Sequence, residues 1–159
     1  RVIKENYLKI FSISILLIVL IVELDFFLLI TKSDKPIILN LLTSVHPNLP
    51  WTFKPINSNI IVKPGEVKTI DYIVENLDNR ETSGIATFAY FPNQFGNYIR
   101  KLNCFCYDAQ TLKANQKGKY SVVLLIDPEV TKDNKTKDIK EVTIQFTFFD
   151  YKEYKENKI

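Results

Sequence analysis

The chain has 159 residues, 46% of them hydrophobic and 25% charged, which is enough for one core-bearing domain and an appendage. Its net charge of +3 is small and its Lys and Arg residues are scattered, which argues against a nucleic-acid interface built on a clustered basic face. The single histidine, His46, excludes zinc sites that need several imidazoles and restricts any Ser–His or Cys–His catalysis to that ring. Methionine is absent, so no thioether is available as a soft metal ligand, and the native start is expected upstream of Arg1.

In chain order, residues 1–9 form a short basic start with Arg1, Lys4 and Lys9, followed by the apolar run 10-IFSISILLIVLIVELDFFLLI-30. At helical rise such a run spans about 30 Å, the thickness of a bilayer core. A single membrane anchor is therefore predicted over 10–30, in preference to a cleaved signal peptide or a buried core helix. No small-x-small cleavage signal follows Val22. Glu23 and Asp25 are placed near the outer interface. The basic residues ahead of the span predict a cytoplasmic (or matrix) N-terminus, with the rest of the chain on the periplasmic side of an inner membrane or its mitochondrial equivalent.

Residues 31–43 are assigned as a linker and 44–150 as the main domain, although a strand pattern begins earlier. Strands are predicted near 37–45, 59–63, 67–75, 82–91, 99–107, 119–127 and 138–149, from β-branched and aromatic runs between turn signals. Pro64-Gly65 and 76-NLDNR-80 are the clearest turns. This spacing predicts an all-β, immunoglobulin-like antiparallel sandwich, usually a binding platform. The stretch 128-PEVTKDNKTK-137 reads as a polar loop and 151–159 as a solvated tail. Trp51 and Phe53 are expected in the core, and His46 in a surface loop.

The only cysteines, Cys104 and Cys106, lie in 101-KLNCFCYDAQ-110. On an extended strand they share a face, with Cα atoms about 6.6 Å apart. That is the outer limit for a disulfide, whose Cα separations run to about 6.8 Å. Paired thiolates suit a soft ion, and Cu(I) accepts the two or three ligands this chain can offer. The pair alone leaves four readings open: a metal clip, a redox pair, a structural disulfide, or buried thiols with no role. Lys101 is an odd number of residues from Cys104, so it faces away from the pair unless the strand bulges. Phe105 and Tyr107 are candidates for core packing or for partner contact.

The surroundings of the pair narrow these readings. The chain resembles the CtaG family of cytochrome c oxidase assembly proteins through 49-LPWTFKP-55, 62-VKPGE-66, Asn76, 84-GIATF-88, Pro92, Gly96, Tyr98, 126-IDPE-129 and 142-VTIQFTFF-149. Above all it carries a CFC core with Lys101 before it and Gln110 after it. The resemblance implies a membrane helix followed by an exported immunoglobulin-like domain in which Cys104 and Cys106 bind Cu(I). It also implies a copper-bridged homodimer and delivery of copper to the CuB centre in subunit I of the oxidase, without enzymatic catalysis. Lys101, Phe105 and Tyr107 are then candidate contacts to the partner. Departures are Tyr107 in place of a Phe, a less acidic 112-LKANQKGKY-120, and no cysteine in 24-LDFFLLITKSD-34, where family members commonly carry one. A thiol–disulfide redox protein and a metal-free structural sandwich are the rivals from other classes.

Overall fold

The computed structural model describes residues 11–23 and 35–157. Residues 11–23 are α-helical. Ile, Leu and Val occupy all sides of this stretch, leaving Ser12, Ser14 and Glu23 as its only polar residues. Among the described residues, no helix is long and apolar enough to cross a membrane. The terminus 1–9, residue 10 and residues 24–30 of the expected anchor, and 31–34 of the expected linker lie outside the described residues.

Lys35–Ile159 form one compact unit. Its strands are β1 (Ile37–Val45), β2 (Trp51–Pro55), β3 (Asn59–Val62), β4 (Val67–Asn76), β5 (Thr82–Phe91), β6 (Ile99–Cys104), β7 (Gln110–Leu112), β8 (Lys117–Ile126) and β9 (Glu141–Asp150). They form a five-stranded sheet, β3-β1-β9-β5-β7, and a four-stranded sheet, β2-β4-β8-β6. Alternation sets the inner faces. Ile70, Tyr72 and Val74 of β4, Val122, Leu124 and Ile126 of β8, and Val142, Ile144, Phe146 and Phe148 of β9 are buried. Aromatic rings bridge the two layers: Phe53 of β2 meets Phe148 of β9 at 4.8 Å, and Tyr72 meets Phe146 at 5.6 Å. Rings of this size bury much apolar area and stack edge to face, so they dominate the cohesion of the sandwich.

The structure corrects the sequence reading in several places. The sandwich is not purely antiparallel, because β1 runs parallel to β9, from Ile38 opposite Glu141 to Val45 opposite Phe148. The first and last strands thus lie side by side within one sheet. β1 also takes in residues 37–43, assigned above to a linker. Two strands went unread: β2, confined between Pro50 and the strand-ending Pro55, and β7, only 3 residues long. The strand expected over 99–107 stops at Cys104 and gives way to a 3-10 turn, Phe105–Tyr107.

Finally, the tail is not frayed throughout: Tyr151–Asn157 is an α-helix. Its start has a local cause, since Asp150 accepts a hydrogen bond from the Glu153 backbone N–H at 3.0 Å. That is the N-cap half of a capping box, and Asp150-x-x-Glu153 was its readable signal. The loop after β8 is likewise more ordered than its polarity implies. Pro128–Thr131 form a 3-10 turn, and Val130 and Thr136 are buried.

Candidate metal centre

The CFC segment lies where the chain leaves one sheet for the other. β6 is the edge of the four-stranded sheet and β7 the edge of the five-stranded one, so the turn between them closes one side of the sandwich. Cys104 is still extended (φ −153°, ψ 132°) and buried, opposite Val122 of β8. The 3-10 turn then draws the chain in, so the Cα atoms of Cys104 and Cys106 are 5.0 Å apart and their sulfurs are joined as a disulfide. A separation of 5.0 Å falls well inside the usual disulfide range. The premise of a straight strand, which put the pair at its outer limit, is thereby overturned.

Four hydrogen bonds hold the turn. The backbone N–H of Cys106 donates to Cys104 Sγ at 3.1 Å. Gln110 Nε2 donates to the carbonyl of Phe105 at 3.1 Å and to that of Asp108 at 3.3 Å. The Tyr107 hydroxyl donates to the carbonyl of Lys101 at 2.8 Å, tying the end of the turn back to β6. Orphan backbone groups of the turn are satisfied by these neighbours. Gln110 fits the motif in sequence alone, and the fold adds that it clamps the turn.

Phe105, expected as a possible partner contact, is instead built into the core. Its ring is 9% exposed and lies 4.8 Å from Phe146, 5.6 Å from Phe53 and 5.5 Å from Tyr120. It anchors the cysteine pair to the sandwich, being the residue between the two in sequence. Tyr107 is 55% exposed and Leu102 54%, so the rim of the site is apolar and accessible. Cys106 is half-buried.

Lys101 joins the pair because β6 bulges. The register with β8 shifts between Lys101 and Asn103, leaving Leu102 as the extra residue. Lys101 is opposite Leu124, and Cys104 opposite Val122, both fully buried on the inner face. The bulge thus restores Lys101 to the same face as Cys104. Its Nζ donates to Cys106 Sγ at 3.7 Å and lies over the rings of Phe88 at 4.5 Å and Tyr107 at 5.6 Å. Burial holds the Lys101 ammonium below the usual lysine range.

His46 is half-buried rather than in an open surface loop, and its ring stacks on Phe149 at 5.6 Å. Trp51 and Phe53 are buried, and Trp51 Nε1 donates to Thr82 Oγ1 at 2.7 Å. Among the described residues, no group of three or more His, Cys, Asp or Glu side chains is gathered as a metal site. Two sulfurs with one cation beside them are therefore the chemistry on offer here, open to two-electron redox change or to a two-coordinate soft ion.

Residues 24–150 match the profile of a family described as cytochrome c oxidase assembly protein CtaG/Cox11. The chain is 43% identical over 109 residues to the cytochrome c oxidase assembly protein CtaG of Ehrlichia ruminantium (strain Gardel), covering 69% of this chain and 62% of that protein. It is 38% identical over 119 residues to the protein of the same name from Brucella ovis, covering 75% of this chain and 59% of that one. The match thus spans about three-fifths of each relative's length. Among solved structures, a PapD-like domain of human CEP192 superposes over 74% of this chain and 85% of that chain, at 13% identity and a TM-score of 0.30, too low to carry an argument.

Proposed function

Because the chain belongs to the cytochrome c oxidase assembly protein CtaG/Cox11 family, we propose that it serves oxidase assembly as a copper chaperone, carrying Cu(I) on Cys104 and Cys106 to the CuB centre of subunit I. The supporting observation is the turn itself. Two sulfurs meet at the rim of a rigid sandwich, anchored by the buried Phe105 ring, with Cys106 half-exposed. In this reading the immunoglobulin-like sandwich is a platform and catalyses nothing. An apolar anchor over residues 10–30 tethers it, with the domain on the periplasmic side of an inner membrane, or facing the intermembrane space of a mitochondrion. The apolar helical residues 11–23 support that anchor. Copper shared between two copies completes the coordination shell and makes the loaded form a dimer.

The cargo requires reduction first. A dithiol reductant transfers two electrons and two protons to the Cys104–Cys106 disulfide, becoming a disulfide itself. Cu(I) then displaces the two thiol protons to give a bis-thiolate complex. In the disulfide the N–H of Cys106 is aimed at Cys104 Sγ, so a backbone donor lies beside that sulfur. Release follows by ligand exchange: each incoming histidine of the acceptor replaces one outgoing thiolate, so no step leaves the ion bare.

The disulfide also favours a second reading, a thiol–disulfide redox protein acting on the exported cysteines of an assembly partner. One experiment separates the two. The reduced full chain is titrated with Cu(I) under anaerobic conditions against a competing chelator, beside Cys104→Ser and Cys106→Ser. Tight binding near one ion per chain, lost in either variant, is expected. Binding no better than the variants, together with rapid disulfide exchange with a partner peptide, would establish the redox reading instead.

A further inference from the structure

Lys101 is an odd residue to find on the inner face of a sandwich. Among the described residues, the ion pairs involve Lys68, Arg80, Arg100, Lys117, Lys119 and Lys132, and no carboxylate meets Lys101. Its ammonium is half-buried, enclosed by the Phe88 and Tyr107 rings and a cysteine sulfur. A cation without an anionic partner in such a place is costly. The β6 bulge at Leu102 creates the arrangement, because a regular strand would turn Lys101 outward to water. Tyr107 then closes the slot by bonding the Lys101 carbonyl. The fold brings an unpaired positive charge to the one spot where paired sulfurs can become anionic.

We infer that Lys101 is a specificity-determining residue that makes the cysteine pair select a monovalent over a divalent ion, by neutralising the charge left on the loaded site. This rests on the copper reading above. Two thiols that bind Cu(I) lose two protons and become a complex of net charge −1, which the ammonium brings to zero. The same thiols with Zn(II) are already neutral, so the ammonium adds an uncompensated charge. Lys101 touches sulfur without being a ligand, so it acts through Cys106. It favours Cu(I) by attraction and disfavours Zn(II), and choice by both means is the usual construction of specificity.

The test measures Cu(I) and Zn(II) affinities separately, on the reduced full chain, for wild type, Lys101→Leu, Lys101→Gln and Lys101→Arg. Lys101→Leu keeps an apolar side chain against the aromatic rings, removes the charge and adds no sulfur. It is expected to weaken Cu(I) binding about tenfold, the scale of one half-exposed charge-assisted contact, while Zn(II) binding holds or tightens. Lys101→Gln is expected to match it, and Lys101→Arg to retain most of the preference. Equal loss for both ions in both neutral variants would make Lys101 a merely structural residue and overturn the inference. An unchanged Cu(I) affinity would overturn it too. Failure of the copper reading is separately visible, because Cys104→Ser and Cys106→Ser would then bind Cu(I) as well as wild type.

Discussion

Gln110 reaches back across the CFC turn and donates from Nε2 to the carbonyl of Phe105 at 3.1 Å. The strand that carries Gln110 therefore fixes the conformation of the residue between the two cysteines. Its second bond, to the carbonyl of Asp108, makes one side chain serve two acceptors that the 3-10 turn leaves free. Gln110→Ala is expected to cost about 1–2 kcal/mol in chemical denaturation and to weaken Cu(I) binding, because the sulfurs are no longer held to one geometry. Gln110→Glu, which removes the donor and keeps the length, should behave likewise. A stability and Cu(I) affinity equal to wild type in both would show the clamp to be incidental.

Phe105 tests whether the middle residue of the motif is core or contact. With its ring among Phe53, Tyr120, Phe146 and Phe148, Phe105→Ala is expected to lower stability by about 3–5 kcal/mol. Tyr107→Ala removes an exposed ring and one hydrogen bond, so its expected cost is about 1 kcal/mol. Thermal melts of the two variants check the contrast; similar losses would mean that Phe105 is less enclosed than its contacts indicate.

Asn76 is fully buried at the end of β4 and serves four backbone groups. Its Nδ2 donates to the carbonyls of Arg80, Leu112 and Lys113, and its Oδ1 accepts from the N–H of Asp78. It ties the loop after β4 to the end of β7. Asn76→Ala should cost at least about 2–3 kcal/mol, since the carbonyls lose their donor without regaining water. Asn76→Asp should be worse at neutral pH, where a carboxylate faces three carbonyls, and should recover partly in acid. Denaturation at two pH values measures both.

Acid stability has an identifiable contributor. Asp71 of β4 faces Ser121 of β8, and the Ser121 hydroxyl, with the Lys119 ammonium, holds its carboxyl below the usual carboxylate range. A carboxyl depressed by folding stabilises the fold above its unfolded pKa of about 3.9, and that contribution is lost as pH falls through the lower, folded value. Ser121→Ala should therefore lower stability at neutral pH and flatten the fall on acidification. Denaturant midpoints collected from neutral pH into the acid range read this directly, and parallel curves for wild type and variant would remove Asp71 from the account.

Much of this architecture was readable before any coordinates. The alternation in 67-VKTIDYIVEN-76 and 141-EVTIQFTFFD-150 names the buried faces of β4 and β9, because successive side chains on a strand must point opposite ways. The thiol chemistry was readable as well, since Cys104 and Cys106 are the chain's only thiols. Alternation says which face is inward but not which strand lies beside which. The parallel pairing of β1 with β9 joins residues about a hundred apart and was therefore out of reach. The bulge at Leu102 was equally hidden. It arises from the register between β6 and β8, and one extra residue is enough to move Lys101 from the solvent side to the sulfur side. Residue identity by itself determined that this protein holds a pair of soft, oxidisable ligands on a β-rich domain. Only the packing of two sheets around Phe105 decided that the chain turns at Cys104, because a large ring gains more by entering the core than the strand gains by running straight.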